Sequence, residues 1–189
     1  MEHQQILIAC IGNIFFGDDA FGVEVARALS QRCLPEEVVV VDYGIHGLDL
    51  AFALLDGYEA VILVDAVRRG GQPGTLYLIE PDSTDIKASA DQSLIIESHR
   101  LNPMRVLAFA QSMGARLNRI LLIGCEVTSP DLLEEMTMEL SPAVQAAIPS
   151  AVEFIELLIT KILDEDFDAW YPHATQGKFG SLPISGWKA

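Results

Sequence analysis

The chain predicts an α/β fold, a three-layer αβα sandwich around a mostly parallel, twisted sheet of about five strands. Three observations lead there. Short continuous apolar runs rich in β-branched residues recur at 6–11, 38–41, 60–64, 75–79 and 120–123, the pattern of strands buried on both faces. Stretches with helical spacing lie between most of them, and strands alternating with helices favour parallel pairing through right-handed crossovers. Half of the 189 residues are hydrophobic and 21% are charged, so one ordinary domain can bury a sizeable core. The expected division is a single α/β domain over 1–163, followed by an irregular C-terminal extension over 164–189.

The first run, 6–11, leads through Gly12-Asn13-Ile14-Phe15-Phe16-Gly17-Asp18-Asp19 into a helical stripe of Phe21, Val25, Ala28 and Leu29. A shorter helix is expected between Leu48 and Leu55, after the second run. The third and fourth runs are joined by a short linker carrying Gly70-Gly71 and Pro73-Gly74. Such a linker is too short for a parallel crossover, so 75–79 is a candidate antiparallel addition. Residues 81–98 are polar and without period, and read as a loop. Asn102-Pro103 opens a helix that ends near Gly114, with an N-cap, a proline at the first position and a terminating glycine. Ser141-Pro142 opens the last helix, whose apolar residues Val144, Ile148, Val152, Ile155, Ile159 and Ile162 recur at three- and four-residue steps. The tail after Asp164 holds Trp170 and Tyr171 but no stripe, and is either a free extension or a strap laid on the domain.

Twelve basic against twenty-seven acidic residues give a formal net charge of −15. Nucleic acid is disfavoured as a partner, because phosphate binding needs concentrated Lys and Arg. An anionic membrane surface is disfavoured for the same reason; a basic protein segment or a metal-bearing partner suits this charge. Cys10, Cys33 and Cys125 form no CxxC pair, and an odd number cannot pair fully. That fits a reducing compartment. With neither a basic leader nor a membrane-length apolar run, the expected location is the cytoplasm.

Three segments carry the acids and imidazole that could meet at the carboxyl edge of the sheet, where open α/β folds bind ligands. They are the Gly12–Asp19 loop, Val64-Asp65-Ala66 and Glu97-Ser98-His99. Asp18 and Asp19 precede a helix, where an acid commonly caps free N–H groups. One acid suffices for that, which leaves Asp19 to point into the crevice. The loop is neither a dinucleotide fingerprint nor a P-loop, since GxGxxG and GK[ST] are both absent. Asp65 closes an apolar run, as a turn former or as a ligand. His99 is an exposed loop histidine or the third member of the set. Carboxylate and imidazole suit nickel, zinc or iron, and three ligands leave positions open for substrate or water. His46, after the second run, is a rival or additional ligand. Cys10 and Cys125 read as buried hydrophobes, not nucleophiles.

Several ordered motifs resemble the nickel–iron hydrogenase maturation endopeptidases. They are Ile8 to Gly12-Asn13 through Asp18-Asp19-Ala20-Phe21-Gly22-Val23, Asp42-Tyr43-Gly44 with Gly47-Leu48-Asp49-Leu50, and Val61 to Asp65-Ala66. Pro73-Gly74-Thr75, His99-Arg100-Leu101, Ile123-Gly124-Cys125-Glu126 and Leu140-Ser141-Pro142-Ala143-Val144 continue the series, so that the resemblance spans about 6–163. It implies a cytoplasmic, metal-dependent endopeptidase that removes a C-terminal peptide from a hydrogenase large-subunit precursor after nickel insertion. The implied metal ligands are Asp19, Asp65 and His99, which are also the implied catalytic residues. The metal is nickel carried by the substrate, although another divalent metal could occupy the site in vitro. The first ligand is often Glu in the family and is Asp19 here, so the loop must sit nearer the metal or Asp18 must share the work. Asp18 is the candidate base for water, with nickel either polarising the carbonyl or serving only as a recognition handle. Two alternatives remain at this point: a checkpoint protein that binds the metallated precursor without cutting it, and a flavodoxin-like small-molecule binder.

Overall fold

The computed structural model describes residues 5–82, 86, 102–127, 139–164 and 167–171, together with the backbone of 181–183. Strand β1 is Ile6–Ile11, buried along its whole length. A single 3-10 turn, Gly17–Ala20, leads into helix α1, Phe21–Leu29. Strand β2 (Val38–Gly44) is followed by α2 (Gly47–Ala53), which one 3-10 turn, Leu54–Asp56, extends. Strands β3 (Ala60–Val67) and β4 (Leu76–Ile79), helix α3 (Pro103–Ser112) and strand β5 (Arg119–Glu126) come next. Helix α4 (Pro142–Leu163), the short α5 (Phe167–Trp170) and β6 (Ser181–Pro183) complete the chain. Both helix starts read from the sequence are capped as the residue types predict. The Asn102 side chain accepts from the Met104 N–H at 2.9 Å, and the Ser141 hydroxyl accepts from the Val144 N–H.

The sheet runs in the order β2-β1-β3-β5-β4-β6. The β1–β2, β1–β3 and β3–β5 pairs are parallel, whereas β4 lies antiparallel to β5. The turn from Val67 to Leu76 reverses the chain through Gly70 and Gly74, at φ 80° and 84°. Side chains alternate across the sheet with the period of two that a pleated strand imposes. Ile6, Ile8 and Cys10 face the layer of α1 and α4; Leu7, Ala9 and Ile11 face the layer of α2 and α3. Right-handed crossovers require this arrangement. The β1–α1–β2 connection steps one way along the sheet and β2–α2–β3 steps back across β1, so the two helices fall on opposite faces.

The expected mostly parallel sheet of about five strands is present, and among the described residues the tail adds one short strand to it. Two expectations need correction. Ser181, Leu182 and Pro183 pair antiparallel with Ile79, Leu78 and Tyr77. Hence 164–189 is not irregular throughout: it contributes β6 and α5. Helix α5 is fixed to the domain by Phe167, whose ring stacks on Tyr171 at 5.2 Å and lies 4.3 Å beneath the Arg119 guanidinium. A three-residue strand is too short for alternation to show, and an edge strand is where a sheet tolerates proline. Finally, Asp65 neither closes its strand nor forms a turn, because β3 runs on to Val67 with Asp65 paired to Gly124. Most of the loop expected over 81–98 lies outside the described residues; Ile86 within it is helical and buried. Among the described residues, no helix is long and apolar enough to cross a membrane.

Candidate active site

The strand order creates one crevice. At β1 and β3 consecutive connections leave the sheet toward opposite faces, so their carboxyl ends part and expose a gap between them. Cys10 stands level with Val64 in the parallel register. The loop after β1 and the last residues of β3 therefore border the same gap. This brings Asp19 and Asp65 together across 46 residues of sequence.

The loop that carries Asp19 is tied to itself and to the sheet. Gly12 N–H donates to the Gly44 carbonyl on β2 at 3.0 Å, and Asn13 N–H donates to the Asp19 carbonyl at 3.1 Å. Phe16 N–H returns to the Asn13 carbonyl, Asp19 N–H to the Phe16 carbonyl, and the Asn13 side chain accepts from the Phe15 N–H. Two glycines make this closure possible. A Cβ on Gly12 would stand 2.3 Å from the Asp19 carbonyl oxygen. A Cβ on Gly22 would stand 2.1 Å from the Ile11 oxygen and 2.6 Å from the Val64 oxygen. The first turn of α1 thus rests directly on the backbone of β1 and β3, and the missing side chain sets how close Asp19 comes to the sheet.

The two acids of the loop take different positions. Neither is the N-cap of α1, which is Ala20. Asp18 is 2% exposed, and its Oδ1 accepts from the Ser141 N–H at 2.6 Å. It thereby ties the loop to the residue that caps α4, 123 positions away. Asp19 is half-buried and lies near enough to Asp65 to act on it electrostatically. Burial pushes the Asp65 carboxyl well above the usual carboxylate range, and the Asp19 charge pushes it further. The Ala66 N–H, which donates to Asp65 Oδ1 at 2.8 Å, works the other way. Two neighbouring carboxyls of which one resists ionisation form a donor set that a divalent cation would stabilise.

His99 lies outside the described residues, as do Ser98 and Glu97. Among the described residues, no group of three His, Cys, Asp or Glu side chains could hold a metal ion. His46 is exposed in the turn between β2 and α2. Cys10 and Cys125 are buried; burial, with Asp18 and Glu126 nearby, pushes the Cys125 thiol up to about 12, which leaves no thiolate at neutral pH. Three residues that the sequence showed only as motif members or as a helix start also shape this edge. Gly22 sets the helix height and Ser141 holds Asp18. Glu126, buried at the end of β5, accepts from the Arg69 and Gly70 N–H groups at 2.9–3.1 Å and fixes the turn beyond Asp65. A glycine inside an amphipathic helix start was the one local signal; the other two depend on partners remote in sequence.

Comparison with known proteins identifies the family and agrees with the fold. The family model for hydrogenase maturation protease matches residues 23–157. The hydrogenase expression/formation protein HupD of Rhodobacter capsulatus is 35% identical over 150 residues, covering 79% of this chain and 68% of HupD. The corresponding HoxM protein of Cupriavidus necator is 32% identical over 144 residues, covering 76% and 68%. Among solved structures, the hydrogenase 2 maturation peptidase from a Thaumarchaeota archaeon superposes with a TM-score of 0.59 at 35% identity, over 80% of this chain and 95% of its own. The hydrogenase maturating endopeptidase HybD from E. coli superposes with a TM-score of 0.66 over 96% and 98%; at 24% identity that likeness speaks to fold. With a family model spanning most of the chain and the paired acids at the switch point of the sheet, the protein belongs to the hydrogenase maturation proteases.

Proposed function

We propose that the protein is a metal-dependent endopeptidase that removes the C-terminal peptide from a nickel-loaded hydrogenase large-subunit precursor, with Asp19, Asp65 and His99 meeting the nickel that the precursor carries. The observation that carries this reading is the pair Asp19 and Asp65 at the β1/β3 switch point, where the buried Asp65 carboxyl is held above its ordinary range. A cation delivered by the substrate removes the repulsion between the two acids, so the site engages a loaded precursor in preference to an empty one. Topology supports the third member. Only residues 113–118 separate α3 from β5, which parallels β3, so α3 begins at the carboxyl edge. His99 is three residues before its cap, a reach of at most about 11 Å.

Nickel would supply Lewis acidity toward the scissile carbonyl or a water; the chain supplies position. Asp18 holds the Asp19 loop through Ser141 rather than moving a proton. The test is mass spectrometry of purified precursor, with and without nickel, after incubation with the protein. Release of a C-terminal peptide from the loaded form alone is expected, and its loss in folded Asp19→Ala, Asp65→Ala and His99→Ala variants. Equal cleavage of both precursor forms would end the metal-gating reading. An unchanged precursor mass would leave a binding protein in its place.

A further inference from the structure

Every large hydrophobic side chain that is exposed among the described residues falls in two neighbouring stretches: Ile14, Phe15 and Phe16 after β1, and Ile45, Leu48, Phe52 and Leu55 around α2. Such residues scattered singly need no explanation, but a contiguous group marks an interaction site. The two stretches leave adjacent strands side by side, joined by the Gly12 N–H to Gly44 carbonyl bond. Helix α2 explains the second. Leu50, Ala51 and Leu54 face the sheet and are buried. Leu48, Phe52 and Leu55 recur at steps of four and three on another side, and Leu48 and Phe52 are 60% and 55% exposed. A helix apolar on two sides is built to be covered on both.

Charge tells what covers it. Between Cys33 and Arg68 the chain has seven acidic residues and no Lys or Arg. Asp42, Asp49 and Asp56 are exposed beside the apolar side chains. A second copy of this chain would bring the same acids against themselves, because a two-fold interface apposes like with like. A partner with an apolar centre and Lys or Arg at its margin would pair with them. We propose that this face docks the folded body of the hydrogenase precursor, through an apolar patch rimmed by basic residues, while its C-terminal segment enters the crevice. This rests on the function proposed above. The face begins at the Asp19 loop and runs about 10 Å down α2 from Leu48 to Leu55. It thus gives the precursor a second contact that does not depend on the metal, and sets which precursor is accepted.

The experiment measures binding of nickel-loaded precursor to protein carrying Asp65→Asn to block cleavage, with and without Leu48→Ser/Phe52→Ser. Both leucine and phenylalanine are exposed, so the double variant keeps its thermal midpoint. The expected result is a Kd raised about 100-fold, the size of losing two central apolar anchors. Asp49→Lys should weaken binding about five-fold at low salt, with the difference vanishing at about 0.5 M salt as charges are screened. An unchanged Kd in the double variant overturns the proposal. So does a free protein that sediments as a dimer and becomes a monomer in that variant, which would assign the face to self-association. The two readings fail separately. A wild-type protein that binds but never cuts refutes the endopeptidase reading and leaves docking intact. One that cuts, with the double variant binding equally well, refutes docking alone.

Discussion

Gly22→Ala is the sharpest test of how the sheet positions Asp19. The added Cβ would lie 2.1 Å from the Ile11 oxygen, 2.6 Å from the Val64 oxygen and 2.8 Å from the Ile11 nitrogen. All three are backbone atoms of paired central strands, so the helix has to yield. Ordinary contact needs roughly 1 Å more, and overpacking of this kind costs about 1–3 kcal/mol. The lift also pulls on the 3-10 turn that carries Asp18 and Asp19, and a displacement of about 1 Å at a reacting group can cost about 100-fold in rate. Urea unfolding and the rate of precursor cleavage, measured on the same preparation, read the two effects. Gly57→Ala serves as the comparison: its φ of 78° strains any side chain, but no atom lies within 4 Å. It should lose about 1 kcal/mol and keep its cleavage rate. If Gly22→Ala unfolds within about 0.5 kcal/mol of the parent, as an innocuous surface change would, and cleaves at the parent rate, α1 does not set the height of the acid pair.

Asp18→Ala should lose about 1–3 kcal/mol by stranding the Ser141 N–H, whereas Asp18→Asn, which keeps an accepting oxygen, should stay near the parent in both urea midpoint and cleavage rate; a folded but inactive Asp18→Asn protein would return the residue to the role of base. Asp65 gives a pH dependence of known sign. Its folded-state carboxyl is raised, so the stability it contributes is complete below the unfolded value near 3.9 and is lost as pH rises through the raised value. Metal-free Asp65→Asn protein should therefore unfold at a higher urea midpoint than the parent at neutral pH, with the gap closing in acid; a gap independent of pH would contradict the buried acid pair. Of the three cysteines, Cys33 is exposed while Cys10 and Cys125 are buried. Titration of the native protein with a thiol reagent at pH 8 should count one reactive thiol, and three once it is unfolded.

The amino-acid sequence by itself determined the elements and the chemistry available at one edge. Runs such as 6–11 and 60–64 declare buried strands because burial on both faces leaves no polar alternation. Asn102-Pro103 and Ser141-Pro142 declare helix starts because the capping bond is made within two or three residues. Asp19 was visible as an acid before a helix start and Asp65 as one at the end of an apolar run, and the ordered motifs carried the family. Only the tertiary structure decided who meets whom. Strand order placed Asp19 beside Asp65, gave Asp18 a partner at Ser141, carried β3 past Asp65 to Val67, and added Ser181–Pro183 to the sheet. The reason is one of range. Local patterns fix backbone conformation and the buried face within a few residues, whereas pairing and hydrogen bonds between remote segments depend on which edges the packed layers bring together.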